Sequence, residues 1–207
     1  GICGNIFGVK KLEYENRKII FQRQNYKIGF EIFYNFYKKK LKKIKKRKNV
    51  NYIFLNIPHH YDLKTYKNYL NYIFLKIKKK DKLVVLIKEH PGFIINKVKY
   101  LNILLLILRK KKISFYLINK KLHMIPAEIF IKHFKVSEIY SAYSSILFTS
   151  ICFFDKKIRL NAIFSGSIIK KYIKQQDLDC YSRDFIKSRL KNKLNFIDLD
   201  KVNHNYS

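Results

Sequence analysis

Cysteine is scarce in this chain of 207 residues, and the few that occur exclude two common kinds of small protein. The three residues, Cys3, Cys152 and Cys180, are odd in number and include no pair at CxxC spacing. Neither a disulfide framework nor a zinc site is therefore indicated, and a reducing cytosol is the simpler setting.

Long apolar runs are also lacking. The run "LNILLLIL", Leu101 to Leu108, has eight residues, whereas a helix needs roughly 20 apolar residues to cross a bilayer. We therefore predict no membrane span and interpret this run as one buried face of a helix.

Acidic residues are few: 14 Asp and Glu face 45 Lys and Arg, which gives a formal net charge of +31. Such an excess can neutralise phosphates, anionic lipid or a polyanionic glycan. The densest run, Tyr37 to Lys48, fits a solvated linker or helix face as well as an anion-binding patch. Lys, Asn, Ile, Tyr and Phe are abundant together, so a coding bias toward A and T accounts for part of the charge. Because no zinc-finger, RNA-recognition or KH motif is present, nucleic acid is the less favoured partner.

Apolar and aromatic residues are plentiful, at 48% and 16%, and they predict a folded chain. From about residue 51, short apolar runs alternate with longer amphipathic ones. Predicted strands cover Tyr52 to Ile57, Lys82 to Lys88, Ile113 to Ile118 and the "VSEIYSAY" segment, and predicted helices cover Leu63 to Lys79, Ile95 to Lys110, the residues after Pro126 and those from Ser144. This order implies parallel strands joined by right-handed crossovers. We predict an α/β fold, a Rossmann-like doubly wound parallel sheet over residues 49–207, preceded by residues 1–48 as the remnant of another domain and a basic linker.

Polar residues follow several of these predicted strands, at the sheet edge where open parallel sheets bind ligands. His90 lies in "KEHPG" after the second strand, and Glu128 lies in the first turn of the helix that Pro126 opens. Ser144 and Ser145 begin another helix, whose backbone N–H groups can bind an anion. Each residue also has an ordinary explanation: a histidine that caps a turn, a carboxylate that complements the helix dipole, and a serine N-cap.

The order "KEHP", "IPAE" and "YSSILF", each after a predicted strand, resembles the bacterial sialyltransferases of the GT-B fold, over about residues 50 to 165. The nearest members are the capsule polysialyltransferases and lipooligosaccharide sialyltransferases. The resemblance implies the C-terminal half of a GT-B enzyme that transfers sialic acid, with inversion, from CMP-sialic acid to a cell-surface glycan. It implies that His90 is the acid or phosphate stabiliser, that Ser144 and Ser145 bind the phosphate, and that Glu128 contacts the ribose or base.

The resemblance also sets expectations for cofactors, partners and location. No cofactor and no metal is expected, because adjacent histidines such as His59 and His60 in "PHHYD" point to opposite faces of an extended segment, away from a shared ion with Asp62. The expected partners are the nucleotide-sugar donor and an anionic glycan acceptor. The expected location is the cytoplasm, or the inner face of the membrane through peripheral contact of basic residues.

One departure from the family concerns the general base. The family's pair of carboxylates followed by Gly is absent, and the nearest carboxylates, Glu13 and Glu15, are interpreted as surface residues. We therefore expect an incomplete chain that is inactive in transfer by itself. The alternative is a basic module that binds nucleic acid or a membrane surface. Cations around the crevice favour an anionic donor or glycan, whereas a continuous basic face remote from His90 favours the binding module.

Overall fold

The computed structural model describes residues 23–58, 61–77, 82–88, 98–142, 144–154, 158–165 and 194–202. The elements, in chain order, are α1 (Arg23–Leu41), β1 (Asn51–Leu55), α2 (Leu63–Ile77), β2 (Leu83–Ile87), α3 (Val98–Lys110), β3 (Ser114–Leu117), a 3-10 turn (Lys120–Leu122), α4 (Ala127–Phe134), β4 (Glu138–Ser141), α5 (Ser145–Phe153), β5 (Arg159–Phe164), β6 (Leu194–Asp198) and α6 (Leu199–Val202).

The described strands form one open sheet in which every neighbouring pair is parallel. The strand order is β3-β2-β1-β4-β5-β6, the order found in Rossmann-type domains. This confirms the prediction of an α/β fold with a Rossmann-like doubly wound parallel sheet.

The sheet has a separate hydrophobic core on each face. Side chains of a strand point alternately to the two faces, so that Ile53 and Leu55 of β1 enter one core while Tyr52 and Phe54 enter the other. Helices α2 and α3 cover the first face, and α1, α4 and α5 cover the second. The crossovers of β1 and β4 therefore run over opposite faces of the sheet.

Local sequence signals explain where the helices begin and end. Asp62 precedes α2, and its Oδ1 accepts a hydrogen bond from the backbone N–H of Thr65 at 2.7 Å, which is an N-cap. Pro126 stands at the N-cap of α4, as predicted, where its missing N–H has no cost. Lys135 ends α4 in the left-handed conformation, with a φ of 54°.

The run Leu101 to Leu108 lies in α3 with Leu101, Leu104 and Leu108 buried, which confirms its interpretation as a buried helix face. None of the helices in the described ranges is long and apolar enough to cross a membrane.

Helix α1 lies within the segment that the sequence analysis placed outside the α/β domain. Phe30 and Leu41 are nevertheless buried in the second core. The Phe30 ring stacks on Phe153 of α5 with 4.5 Å between centroids. The inner face of α1 is thus part of this domain's packing. The domain boundary at residue 48 stays a prediction.

Candidate functional site

The candidate site lies outside the carboxyl ends of β1 and β4, where the sheet changes its winding direction. Asn56 follows β1, and its Nδ2 donates to Ser141 Oγ at the end of β4, at 3.0 Å. The backbone N–H of Asn56 donates to the carbonyl of Tyr140 at 2.9 Å. These bonds fix the two strand ends beside each other, with Ser141 buried and Asn56 partly exposed.

Ser144 is the N-cap of α5 and lies in the extended conformation, as its position in the sequence predicted. Its Oγ accepts from the backbone N–H of Ile146 at 3.4 Å. This is a long hydrogen bond, so a charged phosphate oxygen would be a stronger acceptor for the N–H groups of this helix end. Ser145 is the first residue of α5, and the structure describes its backbone position but not its side chain.

Glu128 lies in the first turn of α4, and it contacts the same helix that Ser144 caps. Its Oε1 accepts a hydrogen bond from the hydroxyl of Thr149, one turn after the start of α5. The structure therefore brings Glu128 beside α5, while its contact with a ribose or base stays a prediction. Thr149 holds the Glu128 carboxylate, which is a structural role that does not require a nucleotide.

Lys88 is a site residue that the sequence analysis did not single out. It follows β2 directly, is buried, and donates from Nζ to the carbonyl of His123 at 2.7 Å. Burial lowers the pKa of Lys88 to about 8, and the nearby negative charge of Glu128 opposes this shift. At neutral pH the side chain is still mainly a cation. The available signal was a lysine at the end of the wholly apolar strand "LVVLI", where a charge is expensive unless it has partners.

The ends of β5 and β6 contribute carboxylates to the same edge of the sheet. Ser165 follows β5, and its Oγ donates to Asp200 Oδ1 at 2.8 Å. The Tyr61 hydroxyl donates to the carbonyl of Ile163 at 2.9 Å. Burial raises the pKa of Tyr61 well above its ordinary value, and the negative charges of Asp200 and Asp198 add to this effect. No motif in the sequence marked these residues.

Several sequence-based candidates cannot be located. His90, His59, His60, Glu13 and Glu15 lie outside the described residues. Asp62 is described, and it caps α2. The N–H of Thr65 lowers the pKa of the Asp62 carboxyl. Within the described ranges, no three His, Cys, Asp or Glu side chains form a group that could hold a metal ion.

Positive charge is concentrated at the opposite edge of the sheet, where the strands begin. Among the described residues of the segments that lead into β1 to β5, the exposed cations are Lys42, Lys43, Lys45, Lys46, Arg47, Lys48, Lys82, Arg109, Lys110, Lys111, Lys112, Lys135 and Arg159. The described carboxylate at this edge, Glu138, is buried and lies 3.6 Å from Arg159 Nη1. The amino edge is thus a basic surface, whereas the carboxyl edge carries lysines and carboxylates together.

Comparison with known proteins assigns no family to this geometry. No protein-family model, no curated protein and no solved structure matches the chain. The residues around the crevice and the motifs that resemble the sialyltransferases are therefore the basis for a proposed function.

Proposed function

We propose that this domain binds CMP-sialic acid and is the donor-binding part of an inverting, polysialyltransferase-like enzyme that transfers sialic acid to an anionic cell-surface glycan. One observation carries the proposal. The β1–β4 switch point has the partly exposed Asn56 and the N-cap Ser144 of α5 at one edge, with the buried Ser141 holding the Asn56 side chain. Ligands of open α/β sheets bind at such a point, with phosphate at a helix N-terminus.

The site supplies groups suited to the leaving phosphate. In the transfer, the bond between the anomeric carbon and the phosphate oxygen of CMP breaks, and its electron pair leaves with the phosphate. The acceptor hydroxyl forms the new bond and loses its proton to a base. Negative charge grows on the phosphate during this step. The N–H groups at the start of α5 would stabilise that charge electrostatically, and the resemblance gives the same role to His90, Ser144 and Ser145. The scheme uses no metal or cofactor.

The position of the cations supports a second role besides donor binding. The exposed lysines of the amino edge lie across the sheet from the switch point, so they are unsuited to contact a donor there. A basic face remote from the crevice favours a binding surface for a polyanion or a membrane. We therefore propose a peripheral location at the cytoplasmic face of a membrane, with donor binding and surface binding on different parts of the molecule.

The donor site is tested by titrating CMP, UMP and AMP into the chain by calorimetry at 150 mM NaCl. We expect CMP to bind most tightly. Ser144→Asp is the informative variant, because Asp caps a helix as well as Ser does while its charge repels a phosphate. The variant should keep its melting temperature and lose CMP affinity by more than about tenfold, which corresponds to roughly 1.4 kcal/mol.

The control is Ser144→Asn, which caps equally well without a charge and should retain part of the affinity. Two results would exclude the donor site. One is equal, weak binding of all three nucleotides that 500 mM NaCl removes, which indicates a nonspecific basic surface. The other is CMP binding that Ser144→Asp leaves unchanged.

A further inference from the structure

Helix α1 has two apolar faces on opposite sides. Its inner face packs on the domain with Phe30 and Leu41 buried. Its outer face carries Ile28, Ile32 and Phe36, whose side chains are 54%, 67% and 67% exposed. The spacing of four residues places them in one line along the helix. We call these three residues the outer stripe.

The packing of α1 prevents the outer stripe from turning inward. Phe30 stacks on Phe153 and meets Phe154 edge to face, with 5.4 Å between the latter centroids. Lys132 of α4 pairs with Glu31, and its Nζ lies 4.5 Å from the centroid of the Tyr34 ring. The helix is therefore held from one side only, and the outer stripe lies on the surface of the described structure.

Cations surround the end of the outer stripe. Lys38, Lys39 and Lys40 form the last turn of α1 and are exposed, and the basic run Lys42 to Lys48 follows directly. The carboxylate in this part of the chain, Glu31, is paired with Lys132. An apolar line beside a dense positive charge is the pattern of a helix that lies in the headgroup region of a membrane.

We propose that the outer stripe, together with the basic run Lys38 to Lys48, binds the surface of an anionic lipid bilayer. Ile28, Ile32 and Phe36 enter the boundary between headgroups and acyl chains, and the lysines attract anionic headgroups near the surface. This deepens the peripheral location proposed above and is independent of the donor site, because none of these residues lies at the β1–β4 switch point.

The chemistry of the surface favours a bilayer over two other occupants. Nucleic acid binds basic proteins mainly through its phosphates, which give the aliphatic Ile28 and Ile32 no partner. A second copy of this chain, packed stripe to stripe with the helices parallel, brings the two basic runs together, and like charges at an interface oppose association. With the helices antiparallel, the basic runs lie at opposite ends and gain no anionic partner. A bilayer with anionic lipid offers negative charge and an apolar layer side by side.

The test is co-sedimentation of the full chain with vesicles of phosphatidylcholine alone and with vesicles that contain 30% phosphatidylglycerol. We expect binding to the anionic vesicles, and little to the neutral ones. The triple variant Ile28→Ser, Ile32→Ser, Phe36→Ser keeps every charge and should lower the partition coefficient at least about tenfold, since three apolar side chains no longer enter the bilayer.

The matched control replaces Leu75 and Leu106 by Ser. These leucines are also exposed, but they lie on α2 and α3, on the other face of the sheet. The control variant should bind anionic vesicles as the wild type does. Unchanged melting temperatures of both variants would show that the fold is intact.

Three outcomes overturn the proposal. The first is anionic vesicle binding that the triple variant leaves unchanged, which would be purely electrostatic. The second is a dimer in light scattering that the triple variant dissolves, which would make the outer stripe a self-interface. The third is binding of single-stranded RNA in preference to anionic vesicles. Calorimetry with CMP on the same variants separates the two proposals, because failure of the donor site leaves vesicle binding intact and failure of vesicle binding leaves CMP affinity intact.

Discussion

His133 lies at the end of α4 and is buried against the basic run that precedes β1. Its Nε2 is a buried ring nitrogen without a hydrogen-bond partner among the described residues. The pKa of His133 is lowered from 6.5 to about 4, mainly by burial and also by the nearby charge of Lys46, while a hydrogen bond with the backbone of Ile44 opposes both effects. The folded protein therefore keeps this imidazole neutral.

We predict that His133 makes the fold sensitive to acid. The pKa is lower in the folded state than in the unfolded state, so the unfolded chain binds the extra proton between pH 6.5 and 4. Stability is fully present above pH 6.5 and falls as the pH falls through this window, by about 1 to 3 kcal/mol. Urea unfolding of the wild type and of His133→Gln at pH 7 and pH 4.5 measures the effect. If the variant loses as much stability on acidification as the wild type, other groups cause the loss.

The residues of the candidate site differ in how far the sequence predicted them. Ser144 was predicted at a helix start because a serine before an apolar helix has few other uses, and the structure places it there. Lys88 was not predicted, because a lysine after a strand is usually solvated. Its burial depends on His123 and Glu128, which are distant in the sequence. Local sequence patterns therefore predict helix caps. They do not predict contacts between side chains that only the folded chain brings together.

At the scale of elements, the first four strands in the chain, β1 to β4, and the helices between them were predicted from alternation and length. Helix α1 was not, and its two apolar faces explain this. With Phe30 on one face and Ile32 and Phe36 on the other, apolar residues occur around the helix and blur the period of 3.6 residues that marks a helix packed on one side. Strands β5 and β6 were not placed individually either.

The two faces of α1 allow the same substitution to be compared at a buried and at an exposed position. Phe30→Ala removes a ring that is 2% exposed and stacked on Phe153, so it should destabilise the fold by about 3 to 5 kcal/mol. Phe36→Ala makes the same substitution on the outer face of the same helix and should change stability by less than about 0.5 kcal/mol. Urea unfolding monitored by circular dichroism measures both. Equal, small effects would show that α1 contributes little to the domain.

At the scale of the whole molecule, charge opposes folding. A net charge of +31 produces repulsion that a compact state strengthens, and among the described residues a dense group of cations lies at the amino edge of the sheet. We predict that the melting temperature rises by roughly 5 °C between 20 and 500 mM NaCl, because the Debye length shrinks well below 10 Å and screens these charges. Replacing Lys110, Lys111 and Lys112 by Gln should reduce this increment. A melting temperature that falls with salt would indicate that ion pairs outweigh the repulsion.

The strand order has a consequence for the course of folding. Every neighbouring pair in the sheet consists of consecutive strands except β1 and β4. That pairing registers only Ile53 to Leu55 with Glu138 to Tyr140, whereas β1 and β2 are in register over the whole of Asn51–Leu55. Contacts between segments far apart in the chain form late and tend to open first. We therefore predict that β1 to β3 and β4 to β6 form as two local halves, whose docking completes the candidate crevice.

We accordingly expect the Asn56 amide, which donates across this junction to Tyr140, to exchange its hydrogen faster than amides within the β1–β2 ladder. Native-state hydrogen exchange followed by NMR measures the difference, and equal rates would show that the sheet opens as one unit. A ligand that binds at the crevice would contact both halves at once. It would stabilise the docked arrangement of the halves, so ligand binding and closure of the β1–β4 junction would be thermodynamically coupled.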